Sequence, residues 1–458
     1  MSSSFTQSLP LEVLLNIVRQ VTDLDTLANF LEASPSVSRL LGHGLSDVFE
    51  RCLDAAYIDR DTKTIIYTTA YLRQGCLPVK SLDELRRRVT SDSITHRDCR
   101  GGGMMGDYYA DAWYVHEADI FTPTSLPKEC PSAITRSMLA TFRRTTFLTM
   151  TCLDLHLQRF RALQPRRAAD PEWGPKDVDL SRLRDGRPVS IPIATHDIGP
   201  PRWLEEQFMA RAFWRVQFVQ DIRRALRIGL LADWSPQDIV QLNTLSMIGV
   251  YDLPGLELDM RRAASCGQNP LVFQDPSELT LIQIAKDYLE QNPGAGPSPS
   301  WRRTGPEYSR PLLLPPIPNR PPPWTDQDRL SDYWSQGSVR FANTFQRFQC
   351  GYLKSLFLAP YRHLGIPIWC AERLDGYGLC SIRDMNNCSP ANMRDNAQHL
   401  LTWMSVLDKE DAARLVRFVQ DKKILEEYKA DVARRGEVLW NTHAWRRRAI
   451  AERERRSY

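Results

Sequence analysis

Residues 9–41 read LPLEVLLNIVRQVTDLDTLANFLEASPSVSRLL, and local rules divide them into three short helices. Pro10 suits the first helical turn, where a missing N–H costs nothing, and Glu12 sits well beside the positive N-terminal end. Leu11, Leu14, Leu15, Val18 and Val21 then form one apolar stripe at helical spacing. Thr22 with Asp25 resembles a capping box for a second helix that carries Leu24, Leu27, Phe30 and Leu31. Ser34-Pro35 reads as an N-cap followed by proline at the first helical position, opening a third helix with Val37, Leu40 and Leu41. Three such helices are too little chain to enclose a core of their own. Their apolar faces must be covered by the rest of the chain or by a partner.

The segment resembles an F-box. That pattern begins Leu-Pro-x-Glu, continues with paired aliphatics and an Asp-Leu step, and enters its third helix through Ser-Pro-x-Val. Leu9, Pro10, Glu12, Val13, Leu14, Ile17, Leu24, Leu27, Ser34 and Val37 stand where the pattern expects them. The third helix departs from it: Ser38-Arg39-Leu40-Leu41 is plainer than the Trp-bearing step common in the family. A second stretch, 365–379, is similar to a Gly-x-x-x-Trp-x-x-x-Arg-Leu-x-x-x-Gly-Leu signature of the C-terminal bodies of F-box proteins in filamentous fungi. It carries Gly365, Trp369, Arg373, Leu374, Gly378 and Leu379. Its physical reading is a Trp and an Arg-Leu step anchoring a helix start, with Gly378 free to adopt positive φ.

The resemblance implies a substrate receptor of an SCF-type ubiquitin ligase. Such a protein docks on a Skp-type adaptor, and through it on a cullin and a RING subunit, and holds a substrate for ubiquitination. Its catalysis is proximity, so the chain itself needs no nucleophile, acid or base and no cofactor. Leu9, Pro10, Leu14, Ile17 and Leu24 are the expected adaptor contacts, in a helix-in-groove mode. The competing expectation is that these side chains pack only against a helix at 44–56 of the same chain. In that case the protein is a non-catalytic structural or interaction protein, or binds the adaptor outside a cullin complex.

Across all 458 residues the expectation is a mainly α protein: a three-helix N-terminal module, then an irregular helical body with long loops. Helical periodicity runs over 134–163, 203–231, 277–291, 339–358 and 409–435. Thr64–Thr69 and Val189–Ile193 are short β-like runs. Two breaks stand out. Residues 164–202 are rich in Pro, Asp and Arg, and residues 292–324 hold eleven of the 31 prolines, which excludes helix or central strand there. The expected segments are therefore 1–50, 51–163, a loop at 164–202, 203–291, a proline-rich linker at 292–324 and a C-terminal region at 325–458. No internal repeat of fixed period is present, which weighs against a solenoid.

Several chemistries fail on spacing. The eight histidines are isolated, His96 and Cys99 have no second pair at zinc spacing, and no HExxH occurs. The Gly101–Gly106 cluster lacks the lysine of a phosphate loop and reads as a turn. The ten cysteines form no CxxC pair, which fits reduced thiols used as small apolar side chains. No secretory leader or run of about 18 apolar residues is visible, so the expected location is cytoplasmic, nuclear or both. The near-neutral total of +4 conceals an uneven distribution. Residues 1–50 carry two Arg against six Asp/Glu, whereas 422–458 carry eleven Lys/Arg against six Asp/Glu. The basic tail reads as an import signal or as a solvated helix face with pairs such as Glu452–Arg456. Nucleic acid is not an expected partner, because no clustered basic face is evident.

Overall fold

A computed structural model describes residues 10–90 (35, 36, 38, 40, 43 and 57 excepted), 121–170, 189–251 (248 and 249 excepted), 276–294, 361–380 and 402–411. The expected helix at 339–358, all but the first three residues of the one at 409–435, most of the proline-rich segment, the Gly101 cluster and most of the C-terminal region with its basic tail lie outside them. Helix dominates the described residues, as expected, and strand is confined to two short pieces. The residues divide into two compact units. One comprises Met1–Gln158 with Pro200–Ser338, the other Arg159–Gly199 with Val339–Tyr458. This differs from the expected segments: the N-terminal module is not a unit of its own, and the segment expected as a loop at 164–202 groups mostly with the C-terminal region.

The first unit opens with α1 (Leu11–Arg19), α2 (Leu24–Ala33), a helical turn closed by Leu41 N–H on the Val37 carbonyl, and α3 (Leu45–Ala55). Then follow α4 (Arg60–Gln74), the short α5 (Leu82–Leu85), the long α6 (Ser132–Arg161, its last three residues in the second unit), α7 (Trp203–Arg227), α8 (Pro236–Thr244) and α9 (Pro276–Gln291). One continuous hydrophobic cluster runs from Leu14 to Val250. Leu27, Phe49, Leu53, Ile66, Leu85, Met138, Val219 and Ile222 are fully buried within it.

Thr64–Thr69 is helical, not extended, and its hydroxyls are satisfied within the helix. Thr64, Thr68 and Thr69 donate to the carbonyls of Arg60, Thr64 and Ile65, each four residues back, which removes the penalty of a polar group inside a helix. Asp59 caps the start by accepting from the N–H groups of Asp61 and Thr62, and Gly75 ends the helix at φ +76°. Thr141, Thr145 and Thr149 of the threonine-rich α6 satisfy their hydroxyls in the same way.

Arg73 ties three helices together. From α4 its guanidinium donates to Asp221 of α7 at 2.7 and 3.1 Å, and to Ser137 and Thr141 of α6 at 2.9 and 2.8 Å. The Asp221 side chain is only 6% exposed. On α3, Glu50 accepts the Leu126 N–H, and burial raises its carboxyl above the ordinary carboxylate range, with Asp54 and Asp47 adding repulsion.

In the second unit, β1 (Arg166–Ala168) pairs antiparallel with β2 (Ser190–Pro192), Arg167 opposite Ile191. The β2 run was legible in sequence. Its partner lies in the stretch expected as a loop, and three residues carry too little alternation to be seen. The C-terminal part adds a 3₁₀ turn (Ile366–Ile368), α10 (Ala371–Gly376) and a helical turn at 402–405.

Two outcomes follow for the first unit. R73M strands a buried carboxylate and lowers unfolding free energy by about 3–5 kcal/mol in urea titration. E50Q keeps an acceptor for Leu126 and removes a charge that folding disfavours. The folded state holds this proton more tightly than the unfolded state, so wild type loses stability as pH rises from the ordinary carboxylate range to the raised value. E50Q is therefore the more stable protein at neutral pH. Its advantage shrinks as pH falls toward about 4, measured as paired urea midpoints.

Candidate docking surface

Helix α1 has two different sides. Pro10 stands at its N-cap (φ −55°, ψ 148°), one residue before the position expected, and its carbonyl accepts the N–H groups of Val13 and Leu14 at 3.1 Å. Glu12 lies in the first turn. Leu14, Val18 and Val21 turn inward with Leu24 of α2 and join the common cluster. Val13 and Ile17, one turn apart on the same line, are each 41% exposed. Pro10 is exposed as well, and the uncharged Asn16 and Gln20 flank the line.

The five expected contacts therefore separate. Pro10 and Ile17 are on the surface. Leu14 and Leu24 are core side chains, 4% and 3% exposed, and are corrected from surface contacts to the layer beneath the strip. Leu9 lies outside the described residues. The exposed strip includes Val13, which matches the family pattern but was not among the five. Part of the signal was available: Val13 and Ile17 lie to one side of the Leu14–Val18–Val21 line, one turn apart. Such residues have no reason to be apolar for the core's sake.

Several contacts hold the strip in place. Asp23, not Thr22, caps α2 by accepting the Thr26 N–H at 2.6 Å. The Ser34 hydroxyl accepts the Val37 N–H at 3.4 Å, as its expected capping role requires. Cys52 of α3 donates its thiol to the Val21 carbonyl at 3.4 Å, and burial pushes that thiol up to about 11. It remains a protonated, unreactive packing group.

The second signature, 365–379, builds an interior. Trp369 and Arg373 are fully buried. The Arg373 guanidinium lies 5.1 Å from the Trp369 ring centroid, donates to the Gly199 carbonyl at 2.9 Å and approaches Asp197 at 3.5 Å. Phe160 packs on both Trp369 and Tyr377, at 5.7 and 4.4 Å. The Gly376 carbonyl accepts the His196 N–H at 2.7 Å, and a Cβ on Gly376 would collide with the His196 carbonyl oxygen. Gly378 adopts φ +66° against Ile193. The anchoring role expected of the Trp and Arg-Leu step is thus seen, and these side chains are spent on the fold of the second unit.

Among the described residues no group of three or more His, Cys, Asp or Glu side chains is placed to hold a metal. No helix among them is long and apolar enough to cross a membrane. A shallow depression on α8, lined by Pro236, Gln237, Val240, Gln241 and Thr244, has no ionisable side chain in its wall. The six described cysteines are free thiols, four of them buried. Trp214 and Trp234 are core residues rather than recognition surface.

G376A separates the interior reading of 365–379 from a surface one. It must displace the His196 strand connection, so backbone amides at 361–380 and 190–198 lose protection in hydrogen exchange while α4 and α7 keep theirs. Unchanged protection at 361–380 contradicts the interior reading.

Compared with family models, with curated proteins and with solved structures, the chain matches none.

Proposed function

We propose that this chain is an F-box-type substrate receptor that presents the Pro10–Val13–Ile17 strip of α1 to a Skp-type adaptor. A substrate bound elsewhere on the chain is then brought to a cullin–RING ubiquitin ligase. The observation that carries this reading is the division of α1. An amphipathic helix whose only role is to close a core keeps its apolar side chains on the buried face. Here two β-branched residues stand one turn apart on the outer face, while Leu14 and Val18 of the same helix are buried, within the segment that resembles an F-box. A pair of aliphatic knobs with neutral polar flanks suits a helix-in-groove contact, in which a few buried anchors supply most of the binding energy. The ligase chemistry belongs to the other subunits, and this chain contributes effective concentration.

One observation favours a second reading. Leu14, Val18 and Leu24 share their core with the body, so these helices also do internal work. On that reading the chain is a non-catalytic interaction protein, or holds the adaptor without a cullin.

The test is a titration of the adaptor onto the full chain, followed by co-purification with cullin and RING subunits. Wild type binds the adaptor. V13D/I17D loses affinity by about 100-fold with an unchanged unfolding midpoint, because both side chains are on the surface. L14A instead destabilises the fold by about 2–5 kcal/mol. Wild-type protein that is folded and does not bind the adaptor overturns the proposal. Adaptor binding without cullin and RING selects the second reading.

A further inference from the structure

Helix α2 carries three polar side chains on one line, Asp25, Asn29 and Glu32, spaced by four and three residues. One guanidinium donates to two of them and approaches the third. Arg143 of α6 donates to Glu32 at 2.8 Å and to Asn29 at 3.2 Å, and its Nε lies 3.7 Å from Asp25. The Arg143 side chain is 10% exposed, whereas Asp25 and Glu32 are 42% and 45% exposed. The cation is therefore largely withdrawn from water and its partners stand at the rim. Two turns or less earlier on α6, Ser137 and Thr141 accept from Arg73, whose other partner is Asp221 of α7. Helix α6 is thus pinned to α4 and α7 at one level and to α2 at the next.

We infer that Arg143 is a positioning residue that fixes α1 and α2 in one pose on the body of the first unit. A greasy contact between helices can slide, because apolar attraction has little directionality. A planar fork that donates to two side chains along a helix line and faces a carboxylate one turn further has one register. The hydrophobic cluster supplies the adhesion of α1 and α2, and Arg143 supplies the angle. The strip on α1 is then held rigidly to the body. Only the consequence for recruitment rests on the docking proposal: a substrate held on the first unit turns with the adaptor-bound helix, not on a swivel.

Lysine is not an equivalent at this position. A single ammonium reaches one or two of the acceptors and cannot hold the fork. Asp25, Asn29 and Glu32 all lie on α2, so the loss of these contacts is read first at α1 and α2 and is distinct from a loss of overall stability.

Hydrogen exchange of the full chain, with no adaptor present, tests this directly. In R143M and R143K, peptides covering 11–33 exchange about tenfold faster or more, while peptides covering 60–74 and 203–227 and the global unfolding midpoint stay at wild-type values. N29A/E32A removes the clamp from the α2 side through exposed residues and gives the same local pattern even if R143M fails to fold. Adding R143K to N29A/E32A produces little further change, as one shared interaction requires. Unchanged protection of 11–33 in both R143K and N29A/E32A overturns the inference, as does a uniform loss across all helices. Since the adaptor takes no part, failure here leaves the docking proposal standing, and absence of adaptor binding leaves this inference standing.

Discussion

Three helices of about ten residues cannot dry their own apolar surface, and that constraint governs the first unit. Leu14, Val18, Leu24 and Leu27 find cover only because α3 brings Phe49, Cys52 and Leu53 and the longer helices extend the same cluster to Val250. The N-terminal segment is consequently continuous with the body. Its outer face is what remains after that burial: Pro10, Val13 and Ile17 on α1.

Polar clamps give that apolar mass its geometry. Arg73 gathers α4, α6 and α7 around one buried carboxylate, and Arg143 donates to Asn29 and Glu32 on α2 with Asp25 close by. Each places a guanidinium where a partial set of acceptors would leave a poorly solvated charge, so each favours a single register over neighbouring ones. In the second unit, Arg373 does comparable work over the Trp369 face, reaching Asp197 and the Gly199 carbonyl.

Much of the helical layout was legible in sequence because long amphipathic periods are strong signals. The stretches at 134–163, 203–231 and 277–291 correspond closely to α6, α7 and α9. The failures have specific causes. Thr64–Thr69 looked extended because β-branched residues favour strands, but the Asp59 and Gly75 caps and the burial of Ile65, Ile66 and Ala70 in the common core decide for helix. The strand at Arg166–Ala168 is fixed by its pairing with Ser190–Pro192, which no local rule sees. At the candidate surface, local rules placed the helix but did not distinguish its faces. Leu14 and Leu24, expected as contacts, are buried, while Val13, not among the expected contacts, is exposed. Arg143 was invisible because its three partners lie more than a hundred residues away in sequence.

The central claim is that the outer face of α1 is a contact surface for the adaptor. Its most direct test is site-specific photo-crosslinking in the full chain, with a benzophenone side chain placed in turn at Val13, Ile17 and the distant exposed Val240, mixed with purified Skp-type adaptor. The account predicts adaptor crosslinks from Val13 and Ile17 and none from Val240. Crosslinks from Val240 but not from Val13 or Ile17, or none from any of the three, would contradict it.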